Sequence, residues 1–237
     1  MDRRGVYHLR MKTRMPAFIA VLILSACLCP GRTFGLDVKM VRHSREFGNL
    51  DMEIGLYWAQ GYTPVGIEVV GSGADAGTWV LYAEGFWLDV AEWHLERYAG
   101  ASKLEPGIEN AVKTGWVPMD LAVEEHGEFS YVLYLKLEYG MKEWRVERAQ
   151  DEAGLRAVAS ADVSRGLLPV GLSADGQGGL LALFVSLPGH GDLKQWDLMS
   201  YDGRAALSRQ LPALAENGWT LFDFLLLDGK AGISVMR

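Results

Sequence analysis

Cysteine is nearly absent: the 237 residues hold two, Cys27 and Cys29. Residues 36–237 have none, which excludes disulfides and thiolate metal sites there and leaves the fold to rest on its hydrophobic core. Histidine is sparse as well. His8, His43, His94, His126 and His190 stand far apart, no His-Glu-x-x-His spacing occurs, and neither a metal nor a cofactor is implied. The most apolar run, "AFIAVLILSA" at 17–26, falls well short of the roughly 20 residues that a membrane-spanning helix needs. Positive charge is scarce beyond the first 35 residues. Arg3, Arg4, Arg10, Lys12, Arg14 and Arg32 against Asp2 give that segment +5, so residues 36–237 carry −12 within a chain total of −7. Such a balance argues against nucleic acid, whose binding rests on Lys and Arg neutralising phosphates. With 49% hydrophobic and 22% charged residues, the composition is that of a globular chain.

The basic start followed by a short apolar run has the form of a signal peptide over residues 1–35, with Met1, Met11 or Met15 as the start. Leu24-Ser25-Ala26-Cys27 resembles the lipobox of bacterial lipoproteins, which implies lipidation at Cys27 and a membrane-anchored protein of the cell envelope. Cleavage after Thr33-Phe34-Gly35 is the alternative, and it would release a soluble protein into the periplasm.

The phrase "GWVPMDL" at 115–121 has relatives at three other places: "GYTPVGI" at 61–67, "GLLPVGL" at 166–172 and "GWTLFDF" at 218–224. Their first residues, Gly61, Gly115, Gly166 and Gly218, lie 54, 51 and 52 residues apart. A second marker, Trp-x-Leu/Val, begins at Trp93, Trp144 and Trp196, in each case 22 residues before the glycine. A fixed period of about 50 residues marks tandem units. These occupy 36–86, 92–138, 143–188 and 195–237, and the first carries "KMV" at 39–41 in place of the Trp marker.

Counting back from each glycine, position −11 is always Leu (Leu50, Leu104, Leu155, Leu207), and position −7 is Ile54, Ile108, Ala159 or Leu211. With Trp58, Val112, Val163 and Ala215 at −3, these form one stripe of a helix that the glycine closes. At −4, Tyr57, Ala111 and Leu214 widen the stripe. Asp162 breaks it, so the third helix is expected to be the weakest. Pro106 and Pro212 are expected in or before a first turn. After the glycine come two short apolar runs around a Gly-containing turn, the pattern of a β-hairpin. Pro64, Pro118 and Pro169 place the first of these runs at a sheet edge, since Pro donates no ladder bond. The expected fold is α+β, four tandem β-α-β-β repeats packed together as a pseudo-symmetric array or ring, or paired two by two. The Trp-bearing strand, the helix ending in Gly-Trp and the two strands that follow resemble a small bacterial domain-of-unknown-function family, number 4177. The resemblance implies a fold and no chemistry, and four copies depart from that family's single short domain.

Convergent catalytic groups are few. Asp120, Glu124, Glu125, His126 and Glu128 are the densest polar cluster, suited to a hard cation or to a general base, or else to a solvated hairpin tip. "GSGADAG" at 71–77 lacks the Lys-Ser/Thr ending of a phosphate loop, and "GLSADG" at 171–176 lacks the Gly-x-Ser-x-Gly of a nucleophile elbow. The recurring Trp93, Trp116, Trp144, Trp196 and Trp219 are expected to anchor the core, His94 to face solvent, and Phe86 and Trp87 to offer an exposed contact. These features together suggest a non-catalytic envelope scaffold that binds a protein or a glycan. The alternatives are an envelope hydrolase or metal-dependent enzyme built on the 120–128 cluster, and a purely structural envelope component. If the lipobox reading holds, Cys27→Ala abolishes lipid-linked processing and releases the protein from the membrane fraction. Unchanged processing and fractionation would overturn it.

Overall fold

The computed structural model describes residues 37–43, 46–71, 76–85, 88–189, 195–227 and 230–236. Four units in the same element order follow one another. The first has β1 (Val38–His43), α1 (Phe47–Trp58), β2 (Tyr62–Val70) and β3 (Gly77–Glu84). The second has β4 (Val90–Ala99), α2 (Leu104–Lys113), β5 (Val117–Val123) and β6 (Phe129–Leu137). The third has β7 (Glu143–Ala149), α3 (Glu152–Val163), β8 (Leu168–Ala174) and β9 (Leu180–Ser186). The fourth has β10 (Trp196–Tyr201), α4 (Arg204–Glu216), β11 (Thr220–Leu227) and β12 (Lys230–Met236). Each unit folds into its own three-stranded sheet with the last strand in the middle, antiparallel to both neighbours: β1-β3-β2, β4-β6-β5, β7-β9-β8 and β10-β12-β11. The architecture is α+β, and β2, β5, β8 and β11 each lie at a sheet edge, as Pro64, Pro118 and Pro169 require of the first three.

The register aligns the units position by position. Trp93, Trp144 and Trp196 pair with Leu135, Val185 and Met236, and the matching pair in the first sheet is Val38 with Ala83. Val38, not Lys39, therefore takes the Trp place; the connection from β1 to Gly61 is one residue longer, so counting at a fixed offset slips by one. β2, β5, β8 and β11 each carry a bulge at the same point, between Pro64 and Gly66, Pro118 and Asp120, Pro169 and Gly171, and Leu221 and Asp223. The extra residue turns the strand sharply. Just before these strands, Gly61, Gly115, Gly166 and Gly218 have φ of 93°, 85°, 85° and 79°, the left-handed conformation that ends a helix at least cost for glycine.

The helical stripes bury their −11 and −7 residues in all four helices. Pro106 lies in the first turn of α2, whereas Pro212 lies inside α4, against expectation. Its ring is exposed, and the burial of Leu207, Leu211 and Leu214 on the other side holds the helix through the missing bond. Asp162 is also not the flaw it seems. It is 1% exposed and forms an ion pair with Arg145 of β7, while Arg165 approaches at 3.6 Å. Asp151 caps the same helix by accepting the Gly154 amide at 2.8 Å, the one side-chain N-cap bond among the four α-helices.

Each helix packs between its own sheet and the next. Leu50 and Ile54 of α1 meet Leu95 and Leu133, and Leu104 and Ile108 of α2 share a cluster with Leu181 and Leu183. Leu155 and Ala159 of α3 meet Leu198, and Leu207 and Leu211 of α4 meet Val38 and Leu81 of the first sheet. The packing thus returns to its starting point. Each fully buried Leu or Ile contributes roughly 1.5–3 kcal/mol. Trp93, Trp116, Trp144, Trp196 and Trp219 are only partly buried and pack against the margins of these clusters, so they border the core rather than fill it. No helix of the described residues is long and apolar enough to cross a membrane. Arg145→Ala leaves Asp162 buried with Arg165 alone, and urea denaturation is expected to show a loss of about 2 kcal/mol; a change under 0.5 kcal/mol would show that the pair does not matter to the fold.

Candidate functional site

The bulged edge strands meet one another in a cycle, β2 with β5, β5 with β8, β8 with β11 and β11 with β2. An edge strand has bare amides on its free side, and buried bare amides need acceptors. Side chains provide them at every junction. Asp120 Oδ2 accepts from the Ile67 amide of β2, and Asp223 Oδ2 accepts from the Leu172 amide of β8. Ser173 Oγ accepts from the Val123 amide at 2.9 Å, and Glu68 accepts from the Leu226 amide. Each aspartate also binds the next amide of its own strand, Leu121 and Phe224, at 2.6 Å.

Asp120 and Asp223 are hydrogen-bonded to each other and wholly buried. Burial raises the pKa of both well above the usual carboxylate range, and the charge of Asp223 raises Asp120 further. The bond from Asp120 restrains the rise at Asp223. Burial and then the charge of Asp223 likewise raise the pKa of Glu68, which is 3% exposed. The strands opposite these acids carry glycine at the matching position. A β-carbon at Gly171 would lie 2.7 Å from Asp120 Oδ1 and 2.9 Å from the Leu121 amide, and one at Gly66 would lie 3.0 Å from Asp223 Oδ1.

The remainder of the sequence-marked cluster lies elsewhere. Glu124, Glu125, His126 and Glu128 form the tip of the β5–β6 hairpin and, with Thr78 and Tyr131, line a cleft of about 400 Å³ beside the ends of β2 and β3. Tyr131 donates to Glu124 at 2.8 Å, and burial lifts its hydroxyl pKa to about 12. Asp120 does not join them, because it points into the centre. Among the described residues no group of three His, Cys, Asp or Glu is arranged to hold a metal. Glu125 lies over Gly71 at the end of β2, and a β-carbon at Gly176 would lie 3.0 Å from the Gly127 amide.

His94 is exposed and stacks beside Trp116 and Tyr134. His43 is buried instead, with Nδ1 on Glu53 and Nε2 on the Tyr82 hydroxyl, both at 2.9 Å, and burial lowers its pKa. Cys27, Phe86, Trp87 and His190 lie outside the described residues. The large apolar side chains exposed among those described are Met52, Leu56 and Tyr139. Sequence reasoning missed Asp223, Glu68 and Ser173. The signal for Asp223 lay in the repeated phrase itself, whose sixth residue alternates Gly66, Asp120, Gly171 and Asp223.

The close approach at Gly171 sets a stability test. Gly171→Ala is expected to cost about 1–3 kcal/mol, since backbone on the facing strand must shift. Gly48→Ala, where a β-carbon meets nothing within 4 Å in helix α1, is expected to be neutral or stabilising by up to about 1 kcal/mol. Equal effects in thermal melts would refute the crowding at the centre.

No family model matches this chain, and a search of curated proteins finds no match for it either.

Proposed function

We propose that this protein is an exported, lipid-anchored, non-catalytic scaffold of a bacterial cell envelope, whose four repeats close into a pseudo-fourfold ring and bind a protein or glycan partner on the face of the hairpin tips. The single observation that carries this reading is the division of polar groups. The acids with strongly raised pKa, Asp120, Asp223 and Glu68, are sealed at the centre where they bridge strands. The open cleft is lined by Glu124, Glu125, His126 and Glu128, residues that differ from copy to copy. The polar groups that join the strands are sealed inside the frame, and the open ones face outward on neighbouring loops, which is how repeat arrays present binding surfaces. Anchoring through Cys27 would place such a ring at the membrane, and a multiply acylated cysteine holds more firmly than a single chain.

The test uses the whole protein as bait for native envelope proteins and for cell-wall and surface glycans. A partner is expected to bind, and Glu125→Lys with Glu128→Lys is expected to weaken its binding at least tenfold while the melting temperature stays unchanged. No retained protein or glycan, or binding indifferent to the tip variants, would overturn the proposal.

A further inference from the structure

Around the inner edges acid and glycine alternate, with Asp120 on β5 and Asp223 on β11 separated in the cycle by Gly66 on β2 and Gly171 on β8. The two carboxyls are hydrogen-bonded to each other, and neither is exposed to solvent. Two adjacent carboxylates in a low-dielectric interior cannot both be ionised without a counter-charge. None faces them here. From β2 comes Glu68, a third acid; from β8 comes Ser173, which is neutral; from β12 comes Ser234, also neutral and bonded to the Pro169 carbonyl at 3.3 Å. Among the described residues no Lys, Arg or His acts on either aspartate. Every donor to the pair from a neighbouring strand is a neutral backbone amide. The glycines let the facing strands come so close that even a methyl group would crowd the carboxyls.

We propose that Asp120 and Asp223 share one proton across the centre and form an acid-closed clasp, which joins the four edge strands at low and neutral pH and loosens when that proton is lost in alkaline solution. One oxygen of each carboxyl holds the neighbouring strand through an amide and the other holds its own, so the shared proton ties β5 to β11 and, through them, β2 to β8. Loss of the proton turns the central bond into repulsion between two buried anions. The direction of the pH effect follows. Folding raises the affinity of these groups for protons, so their contribution is complete below the ordinary carboxylate pKa of about 4 and declines as pH rises toward the raised values of the folded state. The proposal is independent of the binding role suggested above.

Chemical denaturation of the whole chain between pH 5 and 9 tests it. One retained proton lowers the folded-to-unfolded ratio tenfold for each pH unit. Asp120→Asn no longer titrates, so its slope is expected to be shallower than that of the unmodified protein by that factor of ten per unit. Glu68→Gln is expected to remove its own separate share. The Asn variant also loses an amide acceptor, which lowers stability at every pH and leaves the slope as the readout. A folded Asp120→Asn with an unchanged slope would overturn the clasp. Infrared spectra of the unmodified protein give a readout that needs no variant. A protonated-carboxyl band is expected at pH 7 that shifts on ¹³C-aspartate labelling, which separates it from Glu68, and that fades on alkaline titration. Absence of that band at pH 7 would refute the shared proton. So would stabilisation at alkaline pH by millimolar calcium that Asp223→Asn abolishes, because the pair would then hold a cation.

Discussion

The structure depends on how a buried strand edge is satisfied. Each small sheet hydrogen-bonds β2, β5, β8 or β11 on one side only, and the four bare edges then turn toward one another. Water cannot reach their amides, and an unmet buried amide costs about as much as a lost hydrogen bond. A continuous ladder would have closed the centre into a barrel. Bulges at the same point in all four strands bend them away from that geometry, and carboxyl or hydroxyl oxygens from Asp120, Asp223, Ser173 and Glu68 replace the missing carbonyls. These contacts define the spacing that the peripheral layers then adopt.

Polar bridges at the centre act together with apolar wedges at the periphery. A sheet of three short strands with one helix buries too little surface to stand alone. Lodging each helix between two sheets lets one apolar stripe serve two units, as when Leu207 and Leu211 pack against their own sheet and against Val38 and Leu81. The same sharing explains how α4 tolerates Pro212 in its interior. Asp162 shows the complementary case, an acid on a buried stripe that is matched by Arg145 from the adjoining strand.

Much of this was legible in the sequence. The recurrence of Gly61, Gly115, Gly166 and Gly218 and the leucines eleven residues before them established the unit, its helix face and its edge strand. Local chemistry determines those features: a left-handed turn, a 3.6-residue stripe, a proline without a donor. Properties that arise between units were harder to read. Asp120 looks like a member of the acidic hairpin because Glu124 to Glu128 follow it in sequence, yet the bulge aims it inward and away from them. Nothing within one unit reveals that its partner is Asp223, about a hundred positions away. Similarly, the five recurring tryptophans suggest a filled core, but their size leaves them at its margin. The one-residue slip at Val38 arose because a loop length is invisible to counting from a single marker.

Alternation around the centre has an arithmetic consequence. Acid must face acid across the cycle, with a residue lacking a side chain on either side of each, as Gly66 and Gly171 stand beside Asp120 and Asp223. A two-letter pattern can close on itself only when the number of members is even. Three or five units would bring two acids, or two glycines, into neighbouring places, leaving either a crowded pair of carboxyls or a gap. At the centre the four strands therefore form two unlike pairs, one bearing acid and one bearing glycine.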